Sequence, residues 1–186
     1  MRKPKIKSQR AWSCLYGKRD CGKPTRIVIH FTSDKGATAQ NELDYFSKNP
    51  SSKPILASAH FFVDPNMIGQ SVPPKYRANH CGLGGGTFES GHHPQYGITK
   101  NDNSIGIEMC ITKHGNIDRK TVIRTRQLVM WLMSKYRIPK SKIFRHYDVT
   151  GKACPGCHYE KSNGELSDNS LLNNGTWEHF KDLITE

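Results

Sequence analysis

The hydrophobic and polar positions of this chain fall into short blocks with distinct periods. Arg26-Ile27-Val28-Ile29-His30-Phe31-Thr32 is a β-branched stretch that predicts a buried strand. Thr38 stands before a helical pattern that puts Ala39, Leu43 and Phe46 on one face, and the segment from Pro50 to Pro54 breaks it. Ser58-Ala59-His60-Phe61-Phe62-Val63 predicts a second strand, ended by Asp64-Pro65-Asn66. From 65 to 103 the chain turns loop-like, rich in Gly, Pro, His and Asn, with Gly82-Leu83-Gly84-Gly85-Gly86 and the pair His92-His93 inside it. So long a loop region in a compact domain is usually functional or mobile. Ser104 to Ile111 predicts a third strand. Lys120 to Tyr136 is the strongest helix, with Val122, Val129, Leu132 and Tyr136 spaced near the helical period and Pro139 at its exit. Lys142 to His146 predicts a fourth strand, and Trp177, Phe180 and Leu183 fit the apolar face of a terminal helix after a polar loop at 160–176.

Strands alternating with helices predict an α/β fold, a single domain with a central mixed β-sheet flanked by helices. The length of 186 residues suits one domain, and no linker marks a second. Residues 25–186 are expected to form that domain without a separate wall-binding module, and residues 1–24 a basic N-terminal segment, packed or partly disordered. The 28 Lys+Arg against 16 Asp+Glu leave a net charge of +12, which calls for an anionic partner: nucleic acid, an acidic membrane surface or an anionic wall polymer. No stretch approaches the roughly 20 apolar residues of a membrane span. The basic start Met1 to Lys7 is followed by no apolar segment, so the expectation is synthesis in the cytoplasm without a signal peptide.

His30 ends the first strand, His146 ends the fourth, and Cys154 follows in the next loop. Strand ends on one sheet edge converge even when far apart in sequence. Two imidazoles and a thiolate leave a tetrahedral zinc ion one open position, the arrangement of catalytic rather than structural zinc. Other readings stay open. Cys154-Pro155-Gly156-Cys157-His158 satisfies the short C-x-x-C-H haem signature, could form a redox pair, or could supply a fourth ligand, Cys157 or His158, to a structural zinc. Cys14 and Cys21 could pair or bind a second metal but read more simply as free thiols; Cys81 and Cys110 read as small packed hydrophobes. Taken alone, Glu108 is a surface carboxylate, Lys152 a loop lysine, and His92 and His93 solvated loop residues.

Ile27-Val28-Ile29-His30, Ser58-Ala59-His60-Phe61, Asn103-Ser104-Ile105-Gly106-Ile107-Glu108 and the block from Arg145 to Gly156 occur in an order that resembles the zinc-dependent N-acetylmuramoyl-L-alanine amidases of the phage-lysozyme and peptidoglycan-recognition-protein type, the amidase-2 family. The resemblance spans roughly residues 25 to 160 and is most specific in its last block. It implies that His30, His146 and Cys154 bind Zn2+ at one edge of the sheet, that Glu108 is the catalytic acid/base and that Lys152 faces the reaction centre. Some members carry a tyrosine before the histidine of the second strand; here Ala59 stands there, which leaves the acid/base role to Glu108. Non-catalytic recognition proteins of this type lack the cysteine ligand, which Cys154 keeps.

What the resemblance implies is hydrolysis of the amide between N-acetylmuramic acid and L-alanine in peptidoglycan by an endolysin of phage or prophage type, made in the cytoplasm and acting on the wall. The polymer is expected in an open groove formed by the 65–103 loops, with His60 and His80 as substrate contacts. The positive charge is expected to hold the protein on anionic wall polymer, more weakly as salt rises. The alternative is a non-catalytic module with a structural zinc that binds peptidoglycan or a polymerase, as one relative inhibits a phage RNA polymerase. Against a nucleic-acid partner, the basic N-terminus has only Trp12 and Tyr16 as interleaved aromatics, and no binding signature is present.

Overall fold

The computed structural model describes residues 2–48, 57–81 and 93–186. In chain order the strands and helices are β1 (Lys7–Ser8), β2 (Tyr16–Lys18), β3 (Arg26–Phe31), α1 (Ala39–Ser47), β4 (Phe61–Val63), β5 (Ile68–Gln70), β6 (Tyr76–Ala78), β7 (Ser104–Met109), α2 (Arg119–Tyr136), β8 (Ile143–Arg145), α3 (His146–Thr150) and α4 (Asn174–Thr185). Six strands form one mixed sheet in the order β1-β5-β4-β7-β3-β8, in which only β4 and β5 pair antiparallel. A small antiparallel ribbon joins β2 to β6. No helix among the described residues is long and apolar enough to cross a membrane.

The period of two along the central strands separates structure from chemistry. Ile27 and Ile29 of β3, Ile105, Ile107 and Met109 of β7, and Phe61 and Val63 of β4 face one way, into the main core. There they meet Leu128, Val129 and Leu132 of α2 and Trp177, Phe180 and Ile184 of α4. The alternate positions, Val28 and His30 of β3 and Gly106 and Glu108 of β7, are left for the other face. On that face α1 packs Ala39 and Leu43 against Phe62. Register sets the two functional rows level: His30 pairs with Glu108, while Ile29 pairs with Arg145, so that His146 follows beside His30.

Local chemistry fixes the helices. The Thr38 hydroxyl accepts from the Asn41 amide, the Asn41 carboxamide accepts from the Thr38 amide, and Asp64 accepts from Ala39 N at 2.8 Å, so α1 starts where three orphan donors find partners. Asp118 caps α2, and Arg137, at φ 56°, ends it in the left-handed conformation.

Several expectations change. Of the two alternatives for residues 1–24, their described part is packed: β1 extends the sheet edge, Ala11 and Leu15 are buried against Val72 and Ala78, and the cation of Arg19 is buried. That cation is tolerated because it donates to the carbonyls of Pro74, Asn101, Asp102 and Ser104. The 65–103 stretch contains β5 and β6, and residues 82–92, with the glycine run and His92, lie outside the described residues. His146 opens α3 instead of closing a strand. On α4 the buried third residue is Ile184, whereas Leu183 is 40% exposed.

Candidate metal centre

His30, on the last turn of side-chain alternation in β3, and His146, at the start of α3, point their Nδ1 atoms at each other across 3.1 Å. Cys154 Sγ lies 3.7 Å from His30 Nδ1, and all three side chains are buried. A tetrahedron with zinc–nitrogen distances of ~2.05 Å and a zinc–sulfur distance of ~2.3 Å has edges of about 3.3 Å and about 3.6 Å, close to this spacing. The donor set also fits a cation chemically. Burial, then the neighbouring imidazoles and Lys152, hold His30 well below its ordinary pKa, and burial and Lys152 bring His146 down to about 4, so both rings are neutral bases at pH 7. Burial keeps the Cys154 thiol well above its usual range, so a divalent ion would replace its proton.

Glu108 Oε1 lies 3.9 Å from His30 Nδ1, and its Oε2 is buried with no hydrogen-bond partner. Burial and then Glu42 push the Glu108 carboxyl up to about 8, while Lys152 opposes the shift. Glu42, on α1, is itself raised to about 7 by burial and Asp34. These groups line an open cleft of about 1450 Å³ together with Asn79, Ala59 and Lys152. The cleft is therefore walled by α1, the 57–59 segment and the 146–154 turn, and of the expected 65–103 loops only Asn79, His80 and Asn101 reach it among the described residues.

The structure brings His30, His146, Cys154, Glu108 and Lys152 to one cleft. It does not bring His60 there. His60 is fully buried, accepting from Gly106 N at 3.0 Å through Nδ1 and donating from Nε2 to the Tyr76 carbonyl at 3.1 Å; burial and Arg19 lower its pKa to about 3. His80 is buried beside His30 at the cleft, with Nδ1 3.0 Å from His30 Nε2. Burial and internal hydrogen bonds occupy the ring nitrogens of both residues; His80 still borders the cleft, whereas His60 does not. His93 is half-buried against the Tyr147 ring rather than solvated.

The cysteine alternatives separate too. Cys157 is packed in the main core and His158 Nδ1 is 3.0 Å from the Ser167 carbonyl, so neither joins Cys154 as a fourth ligand. Cys14 and Cys21 are exposed free thiols, and Cys110 packs beside Phe62. Sequence reasoning missed the support behind the ligands. Arg145 donates to Asp148 at 3.0 Å and 2.5 Å, to the Leu172 carbonyl at 2.8 Å and to Asn174 at 2.9 Å, tying the residue before His146 to the start of α4. Glu42, Asn101 and Ser104 were missed as well, since an isolated polar residue carries no pattern.

A six-stranded mixed sheet with a buried His-His-Cys group and a carboxylate at an open cleft is an arrangement that could hold a metal ion for hydrolysis. The profile of the family described as N-acetylmuramoyl-L-alanine amidase matches residues 20–157, and the chain belongs to that family. It is 38% identical over 130 residues to N-acetylmuramoyl-L-alanine amidase CwlL of Bacillus licheniformis, covering 69% of this chain but 35% of that one, so the chain spans about a third of that relative's length. Among solved structures, the catalytic domain of XlyA superposes with a TM-score of 0.70 at 27% identity, covering 97% of this chain and 99% of that one. A mutant endolysin from Bacillus subtilis gives the same TM-score of 0.70 at 27% identity, over 97% and 98% of the two chains.

Proposed function

We propose that this domain hydrolyses the amide between N-acetylmuramic acid and L-alanine in bacterial peptidoglycan, as an endolysin-type lytic enzyme, with Zn2+ held by His30, His146 and Cys154. The observation that carries the reading is the triangle of two imidazole nitrogens and one sulfur, with edges of 3.1 Å and 3.7 Å from His30 Nδ1, beside an unpaired carboxyl oxygen in an open cleft. When bound, the ion supplies Lewis acidity toward the scissile carbonyl and lowers the pKa of water toward about 7. Glu108, whose ionised form the same cation would favour, could then accept the proton of the attacking water at its carboxylate and return it to the departing alanine nitrogen, without which the amine is a poor leaving group. Lys152, half-buried at the cleft, places its ammonium to balance the negative oxygen of the tetrahedral intermediate. The open cleft suits a polymer, which must enter from the side.

The positive charge supports a second contact, with anionic wall polymer. Helix α2 carries Arg119, Lys120, Arg124, Arg126 and Lys135 and no carboxylate, and Arg126 shares a shallow groove with Arg2, Lys3 and Lys5. Binding to purified walls should weaken as salt rises, because exposed charges are screened.

The test is mass spectrometry of peptidoglycan digested by the purified protein, with metal analysis of the same sample. Release of free L-alanine amino termini, lost with a chelator and regained with Zn2+, is the expected result. Wall binding without any cleavage by the zinc-loaded protein would establish the non-catalytic alternative.

A further inference from the structure

Behind the ligand triangle lies a second set of side chains, mostly buried, of which His80 and Asn101 border the cleft. His30 presents Nδ1 to the triangle, and its other nitrogen, Nε2, lies 3.0 Å from His80 Nδ1. The His80 Nε2 lies 3.2 Å from Ser104 Oγ, and that hydroxyl donates to the Lys100 carbonyl at 2.6 Å. The end of this chain fixes its direction. A backbone carbonyl only accepts, so Ser104 spends its proton there and must accept from His80 Nε2–H. His80 is then the tautomer with a bare Nδ1, which accepts from His30 Nε2–H and leaves the His30 Nδ1 lone pair facing His146 and Cys154. Cys81 Sγ, 3.0 Å from His80 Nδ1 and 3.7 Å from Ser104 Oγ, is the weaker donor and is served by the second lone pair of the hydroxyl.

The surroundings are built to hold that ring. The Asn101 carboxamide oxygen accepts from His80 N at 2.9 Å and from Cys81 N at 2.7 Å, which pins the backbone. Gly106 of β7 provides the space: a Cβ there would lie 2.5 Å from His80 Cγ, so only glycine lets the imidazole lie against the strand. The His30 and His80 rings meet edge to face, 5.2 Å between centroids.

We infer that His80 is a positioning residue that, anchored by Ser104, locks His30 in the one tautomer and orientation able to bind the metal. This rests on the reading of His30, His146 and Cys154 as the metal ligands. The test measures Zn2+ affinity of the full chain by competition with a chromogenic chelator, for wild type, His80→Leu, His80→Asn, His80→Gln and Ser104→Ala, with the melting temperature of each metal-free protein. Asn carries its carboxamide oxygen where Nδ1 stands, whereas Gln carries it further out, where Nε2 stands. His80→Leu and His80→Gln should therefore bind Zn2+ about 10–100-fold more weakly, Ser104→Ala about 3–10-fold more weakly, and His80→Asn should stay nearest to wild type. The visible spectrum of the Co2+-loaded protein should follow the same order. A purely structural role for His80 predicts that affinity tracks melting temperature and does not rank Asn above Gln; that result, or wild-type affinity in His80→Leu, overturns the inference. If wild type itself binds no Zn2+, the metal-site reading fails, and the inference with it.

Discussion

Glu108→Gln separates what the carboxyl does for turnover from what it does to the fold. The folded carboxyl keeps its proton up to about 8, against 4.5 for an ordinary glutamate, and burial is the leading cause. Between those values the folded, metal-free protein binds a proton that the unfolded chain has released, so its stability falls as pH rises through the window. At pH 7 the gap is 7 − 4.5 = 2.5 pH units, which corresponds to a cost of about 3 kcal/mol. The side chain is 21% exposed, so solvent screening does not erase that figure. Glutamine is neutral and nearly the same shape, and Oε2 has no partner to lose. Urea unfolding of chelator-treated protein should show Glu108→Gln more stable than wild type by about 3 kcal/mol at pH 7 and by almost nothing near pH 4.5. Zinc should narrow the difference, since a nearby cation favours the carboxylate. Turnover of peptidoglycan by the loaded variant should drop by about 10²-fold or more. Equal stability of the two metal-free proteins at every pH would refute the burial argument, and near-normal turnover would remove Glu108 from the acid/base role.

Cys154→Ser should lose stoichiometric zinc and turnover together, read by metal analysis and wall digestion, while its circular dichroism stays that of the wild type. Asp148→Ala strands the guanidinium of Arg145 in a buried position and should cost about 3–5 kcal/mol in urea unfolding, whereas losing a surface pair such as Lys161–Asp168 should cost less than about 1 kcal/mol. His60 and His146, held near about 3 and about 4, remain neutral in the fold while the unfolded chain takes up protons below about pH 6.5, so stability drops on the acid side. Each contributes about 1.4 kcal/mol per pH unit there, against opposite slopes from Glu108 and Glu42. The check is a comparison of metal-free wild type with His146→Gln: identical pH dependence of the two between pH 6.5 and 4.5 would contradict it.

Runs of apolar and β-branched residues made β3 and β7 readable, because both strands are buried on two faces. The helices at 39 and 119 were readable for a different reason, apolar spacing at the helical period, preceded by Thr38 in the first and followed by Pro139 in the second. Strands of three residues such as β5 and β6 are too short to show a period and were hidden among turn residues. On α4 the polar loop gave no phase: Trp177, Phe180 and Ile184 lie on one side, and choosing Leu183 over Ile184 rotates the last turn by a single residue. That His30, His146 and Cys154 come together was legible because a histidine in a strand, a histidine just after another strand and a following cysteine form a spaced pattern. Arg19 was not, nor was the placement of His80 beside His30, since both depend on a set of carbonyls, a hydroxyl and a glycine from distant segments.

The place of β3 in the sheet bears on how the molecule is made. Both of its neighbours run parallel to it and come from far downstream, β7 from residue 104 and β8 from residue 143. A ribosome releasing the chain in order therefore exposes an oily ribbon, Ile27 to Ile29, long before anything can sit beside it. Nascent chains truncated before residue 143 should be protease-sensitive and prone to clump, and resistance should arrive abruptly once β8 clears the exit tunnel.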